Sequence, residues 1–208
     1  MDRRRHWQRV WSEKSPTGVS WYSPRLDLSL ELIRAAAPPP ASVVDVGGGA
    51  STLVDDLVRL GYGPIAVLDV AGEALEIARA RLGASAREVD WIVADVVDAP
   101  LPVAAWDAWH DRAVFHFLLD PAERAAYAER LAACVRPGGH AVVATFADDG
   151  PDRCSGLEVA RYDERSLARE LSAGFVMRRA VRHVHVTPRG VPQSFLYGLF
   201  QREDGPAG

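Results

Sequence analysis

Asp45-Val46-Gly47-Gly48-Gly49-Ala50-Ser51-Thr52 joins an apolar run, Ser42 to Val46, directly to a helical pattern over Ser51 to Leu60. A strand that turns through glycines into a helix opens a doubly wound α/β sheet, and in such sheets ligands bind at the carboxyl ends of the strands. Glycine supplies both the tight turn and the close approach of backbone to ligand. Taken alone the loop is also what many purely structural turns look like, so its surroundings decide.

Outward from the loop, continuously apolar runs alternate with helical patterns. The runs are Ser42 to Val46, Pro64 to Val70, Trp91 to Ala94, Trp106 to Trp109 and His140 to Phe146, with helices over Ser51 to Leu60, Ala71 to Leu82 and Pro121 to Val135 between them. Unbroken apolar runs suit strands buried on both faces, and the alternation predicts a parallel sheet covered by helices on both sides. Pro121 follows Asp120, a natural N-cap, and Ala125, Ala128, Leu131, Ala132 and Val135 recur at helical spacing. An earlier helix through Leu26, Leu28, Leu30, Leu32 and Ile33 has to stop at Pro38-Pro39-Pro40. Beyond the fifth run come a helix over Asp163 to Leu171 and two long alternating stretches, Phe175 to Pro188 and Gln193 to Arg202. Their connection is too short for a parallel crossover, so the sheet is expected to end in an antiparallel hairpin at one edge.

Composition narrows the function. The chain has 208 residues, enough for one domain, which is read as 1–202 with an aromatic cap over 1–24 and a flexible tail over 203–208. Twenty-four basic against twenty-eight acidic side chains give a net charge of −4, which offers no overall field for nucleic acid. Cys134 and Cys154 form neither a disulfide framework nor a metal spacing, and His183 and His185 lack the partners a metal site needs. No apolar stretch approaches the ~18 residues of a membrane span, and the N-terminus lacks a signal core. A reducing cytoplasm is the expected compartment.

The strand ends carry the chemistry. Asp45 closes on the loop, Asp69 ends the second run and Asp95 ends the third. A dinucleotide fingerprint needs a third glycine where Thr52 stands, and a carboxylate at Asp45 would repel a pyrophosphate. Three acids on one rim suit instead a ligand with a ribose and an amine.

This set resembles the class I S-adenosylmethionine-dependent methyltransferases. The likeness covers Ser42 to about Phe146 through the acid-x-Gly-x-Gly loop, Asp69, Asp95 and the turn Arg136-Pro137-Gly138-Gly139. It implies a seven-stranded sheet of order 3-2-1-4-5-7-6 with strand 7 antiparallel, and S-adenosyl-L-methionine as cofactor. It further implies that Asp45 with the backbone of Gly47, Gly48 and Gly49 and with Ser51 faces the methionine part. Asp69 would bind the ribose and Asp95 would hydrogen-bond the adenine amine; Val70 and Val96 are expected to contact the cofactor as well, and Trp21 is read as closing over it.

Methyl transfer from a sulfonium is an in-line displacement that positioning alone can drive, with ~7–11 kcal/mol available in principle. Deprotonating a lysine at pH 7 costs about 4.6 kcal/mol against about 2 kcal/mol for a thiol, so a site without an evident base favours a soft acceptor. The Asp/Asn-Pro-Pro-aromatic motif of amino-methyltransferases and the Pro-Cys pair of cytosine-C5 enzymes are both absent after the fourth strand. Asp111-Arg112 stands there instead and, with Trp7 and Trp11, is similar to the thiopurine and thiol methyltransferase branch. Asp111 and Arg112 are therefore the expected catalytic pair, Arg112 orienting an anionic acceptor or lowering the pKa of a thiol; the alternative is an ion pair that merely caps the strand. Tyr22, His116, Cys154 and Tyr162 are expected to line the acceptor pocket. Trp7 and Trp11 stand one helical turn apart and read as core, while Trp21 and Tyr22 read as a lid. A small-molecule acceptor is the first reading, a protein lysine the second and a catalytically silent cofactor-binding module the third.

Overall fold

The computed structural model describes residues 3–203; of the expected tail, the part beyond Glu203 lies outside the described residues. The N-terminal segment opens with helix α1 (Arg3–Glu13), followed by α2 (Asp27–Ala36), which buries Leu30, Leu32 and Ile33 and ends just before the proline triplet. Then come β1 (Val43–Val46), α3 (Leu53–Arg59), β2 (Ile65–Asp69), α4 (Gly72–Leu82), β3 (Val89–Val93), β4 (Trp106–Arg112), α5 (Pro121–Cys134) and β5 (Val135–Phe146). A two-residue hairpin, β6 (Arg153–Cys154) with β7 (Leu157–Glu158), precedes α6 (Glu164–Glu170), β8 (Phe175–Val186) and β9 (Pro192–Arg202).

Seven of these strands form one sheet of order β3-β2-β1-β4-β5-β9-β8. Apart from the inserted hairpin, this is the order the sequence resemblance implied. β1 pairs in parallel with β2 and β4, β2 with β3 and β4 with β5, whereas β9 runs antiparallel to both β5 and β8. Two apolar layers cover the sheet. Trp109, Tyr127, Leu131 and Leu167 pack on the α5–α6 side, and Ile33, Leu57, Leu75 and Phe146 on the other. The helix starts follow the local chemistry. Asp120 accepts from the Ala122 amide at 2.9 Å with Pro121 in the first turn, and Asp163 forms a reciprocal capping box with Ser166.

Two segments differ from expectation in ways that matter for the site. The turn Arg136–Gly139 lies within β5, as an irregularity where the pairing jumps from Trp106↔Val135 to Ala108↔His140. More consequentially, β4 does not end at Trp109 but continues to Arg112. Successive side chains of a strand face opposite sides, so Trp109 and Asp111 turn toward α5 while His110 and Arg112 turn the other way.

Candidate active site

The glycine loop is shaped by what presses on it. Gly47 has φ +66° and donates its amide to the Leu68 carbonyl at 2.7 Å; a Cβ there would stand 2.0 Å from Val114 Cγ2. A Cβ on Gly48 would stand 2.6 Å from Asp45 Oδ2, and one on Gly49 2.9 Å from Asp69 Oδ2. The absence of side chains thus lets two carboxylates lie directly against the loop backbone.

Asp45 is almost completely buried. Its Oδ1 lies 2.7 Å from His110 Nδ1, and His110 Nε2 lies 2.9 Å from Ser29 Oγ, so α2 and β4 together fix the carboxylate. Oδ2 has no hydrogen-bond partner. A buried carboxylate oxygen left without a donor is costly, and one facing a cavity is a place for a ligand's ammonium group. Sequence reasoning missed His110 and Ser29; the only signal was His110 standing beside Asp45 in the β1–β4 register.

Asp69, at the end of β2, accepts from the Ala71 amide at 2.8 Å through Oδ1. Burial pushes its carboxyl up to about 7, with the nearby Asp45 adding to the rise and the Ala71 amide opposing it. Asp95 accepts from the Val97 amide through Oδ1, while its Oδ2 is held by Arg3 of α1 at 2.9–3.0 Å. Arg3 also reaches Glu123 of α5 at 2.8 Å, which ties the N-terminal helix across the rim.

Aromatic edges complete the cover. Trp7 meets Phe117 at 5.1 Å and Trp21 at 5.6 Å between ring centroids, and Trp11 meets Trp21 at 5.9 Å, all near perpendicular. Beneath them the cleft has two chambers. The larger, about 870 Å³ with its mouth, is bordered by Asp69, Val70, Asp95 and Val96 at one end and by Phe146, Cys154 and Phe195 elsewhere. The smaller, about 540 Å³, is bordered by Asp45, Gly48, Ser51, Tyr22 and His110. Trp11, Trp21, Gly47 and Arg112 border both. All three outer tryptophans therefore line the cleft, where Trp7 and Trp11 had been read as core.

Several expected residues fall elsewhere. Asp111 is fully buried and turned toward α5, where it accepts from the Val114 amide at 2.8 Å, the Phe115 amide at 3.1 Å and the Tyr127 hydroxyl at 2.8 Å. Its oxygens hold the chain as it leaves β4 and border neither chamber; burial pushes its carboxyl up to about 6 despite those donors. The adjacent pair does not form the capping ion pair either, since Asp111 and Arg112 face opposite sides of the sheet. Tyr162 packs against Phe115 in the α5–α6 layer, away from the cleft. His116 is fully buried behind the wall, its ring between Phe117 and Phe146 and its Nδ1 accepting from the Phe146 amide at 3.2 Å; burial lowers it to about 3, which keeps it neutral. Tyr22 lies in the smaller chamber rather than beside Cys154. Cys154 borders the larger chamber, as expected, and burial pushes its thiol up to about 11, which favours the protonated form.

Among the described residues no cluster of His, Cys, Asp or Glu suits a metal ion, and no helix is long and apolar enough to cross a membrane.

Sheet order, glycine loop and rim acids together resemble those of the class I S-adenosylmethionine-dependent methyltransferases. Residues 43–139 match the family model described as a methyltransferase domain. No curated protein matches the chain. Among solved structures, one described for the conversion of a disulfide bond into a thioacetal group during echinomycin biosynthesis is 19% identical, with a TM-score of 0.77 over 98% of this chain and 93% of that one. The 1,6-didemethyltoxoflavin-N1-methyltransferase of Burkholderia thailandensis, solved with 1,6-didemethyltoxoflavin and S-adenosylhomocysteine, is 22% identical, with a TM-score of 0.69 over 94% and 81%. The N-methyltransferase NodS of Bradyrhizobium japonicum, solved with S-adenosylhomocysteine, is 15% identical, with a TM-score of 0.68 over 94% and 97%.

Proposed function

We propose that this chain transfers a methyl group from S-adenosylmethionine to a small molecule. The observation that carries the reading is the unpartnered, buried Oδ2 of Asp45, set against Gly48 beside a chamber that Asp69 and Asp95 continue on the far side of Trp21. The residues fit the cofactor part by part. Asp45 would take the methionine ammonium, with Ser51 and Tyr22 beside it. Asp69 would accept from the ribose hydroxyls, and Val70, Val96 and Asp95 would flank the adenine, where its amine would share Asp95 with Arg3. When bound, the cofactor supplies an electrophilic methyl group on a sulfonium. Everything else is positioning and exclusion of water by this chain's own side chains. Trp7, Trp11 and Trp21 would form the roof, so the N-terminal segment acts as a lid.

The covered, mostly apolar chamber favours a compact acceptor over a protein side chain. That the fold neighbours include an enzyme named for a small molecule, 1,6-didemethyltoxoflavin, supports the same class. A sulfur acceptor is the finer reading, since the carboxylates bordering the cleft, Asp45, Asp69 and Asp95, would be taken up by the cofactor and leave no base for an amine. Incubating the protein with methyl-labelled cofactor and a desalted protein extract, or with the small-molecule filtrate of the same extract, separates the cases. Label is expected in products of the filtrate; label on a protein band alone would replace this reading with the protein-lysine one.

A further inference from the structure

We propose that the acceptor is an acidic molecule, bound as its oxyanion or thiolate against the guanidinium of Arg112. This rests on the methyltransferase reading and names the substrate class it requires.

Arg112 borders both chambers, and its side chain leans from β4 toward the β9 side of the cleft. In the sheet it stands beside Ala144 of β5, which stands beside Tyr197 of β9. Arg112 Nε donates to the Tyr197 hydroxyl at 3.0 Å, and its Cζ lies 4.8 Å from the centroid of the Phe195 ring. The side chain therefore spans β5 toward β9, on the opposite side of β4 from β1 and the glycine loop. Nη1 donates to the Trp21 carbonyl at 3.0 Å, which fixes the fork from the lid side. Both partners are neutral, and among the described residues no carboxylate lies within 4 Å of it. An arginine held rigidly in a half-buried apolar wall without a counter-ion is costly unless a ligand brings the charge.

The titratable groups around it do not bring one. Burial raises the Cys154 thiol to about 11 and lowers His116 to about 3; it lowers His183 and His185 as well, with the Arg112 charge adding to the fall in all three histidines. Lys14, near Cys154, is a second cation. A protonated amine would meet repulsion here and find no base to deprotonate it. A carboxylic acid, or a thiol or phenol acidic enough to ionise in water, arrives in the reactive form and meets its counter-charge at the guanidinium.

The step then balances without moving a proton. The lone pair of the oxyanion or thiolate forms the bond to the methyl carbon, the carbon–sulfur pair returns to the sulfonium sulfur, and both products at the reacting centre are neutral. The methylated product no longer pairs with Arg112, which favours its release.

The test is equilibrium binding to the protein saturated with S-adenosylhomocysteine, followed by tryptophan fluorescence. Two matched pairs serve as probes: benzoate against benzamide for oxygen anions, and thiophenolate against thioanisole for sulfur. The wild type is expected to prefer the anion in at least one pair by about tenfold or more, as a charge-assisted contact would give, and the pair that shows it identifies the acceptor atom. Arg112→Met, which keeps the stem packing, should erase that preference, and Arg112→Lys should restore part of it, each variant being titrated at an S-adenosylhomocysteine concentration shown to saturate it. Equal binding of anion and neutral partner in both pairs, or a preference that survives in Arg112→Met, overturns the proposal. Loss of S-adenosylhomocysteine binding by the wild type would instead strike the methyltransferase reading itself.

Discussion

Asp69→Ala should weaken S-adenosylhomocysteine binding by about 100-fold or more, because two hydroxyl hydrogen bonds to a carboxylate are worth about 1.5–3 kcal/mol each. Folding should be nearly indifferent. The change removes a buried carboxyl that is costly to ionise and gives up its backbone hydrogen bonds at Val70 and Ala71, the latter at 2.8 Å. The raised pKa adds a pH signature. Near pH 6 the empty site holds Asp69 mostly protonated, whereas the bound ribose favours the carboxylate, so binding releases a proton. Affinity should fall as pH drops below about 7, by up to tenfold per unit, and level off above it. Calorimetry in two buffers of different ionisation heat measures that proton directly, and its absence in Asp69→Ala assigns it. Stability of the empty protein runs the opposite way. Asp69 and Asp111 both bind protons more tightly folded than unfolded, so their contribution is greatest at acid pH and is lost as pH rises through about 6 to 7.

Gly47→Ala is the second large effect. A methyl at this position would stand 2.0 Å from Val114 Cγ2, on a backbone at φ +66° that side chains rarely adopt. Overpacking costs about 1–3 kcal/mol and the left-handed backbone about 1–2 kcal/mol more. For a domain of this size, 3 kcal/mol corresponds to a fall in Tm of roughly 6–12 °C. The geometry also supplies a rescue. Truncating Val114→Ala removes the clashing Cγ2 and leaves its Cβ 3.4 Å away, which is tolerable. Gly47→Ala/Val114→Ala should therefore recover much of the packing loss but not the backbone cost. A Gly47→Ala protein as stable as the wild type would show that the loop moves freely and does not hold Asp45 and Asp69 in place.

The fold could be read from the sequence because its signals are local. Buried parallel strands appear as unbroken apolar runs, and Asp120-Pro121 marks a helix start without reference to anything distant. The cofactor half of the cleft was legible for the same reason: Asp45, Asp69 and Asp95 each end a strand, and strand ends meet on one rim. The acceptor half was not. Ending β4 at Trp109 placed Asp111 and Arg112 in a loop where both could face one pocket. Because the strand runs to Arg112, alternation sends Asp111 to Tyr127 and leaves Arg112 alone in the cleft. Tyr162 was misplaced through a similar ambiguity, since nothing in the loop after β5 tells which sheet face it crosses. The Arg3 to Asp95 contact and the Ser29–His110–Asp45 chain join residues 65 to 92 positions apart, and pairing of that kind leaves no local periodicity to read.

Titration of the wild-type protein with S-adenosylhomocysteine by isothermal calorimetry tests the central claim most directly. One molecule should bind per chain in the micromolar range, with an accompanying rise in Tm as expected for a ligand that binds only the folded state. No heat of binding and no change in Tm at millimolar S-adenosylhomocysteine would contradict it.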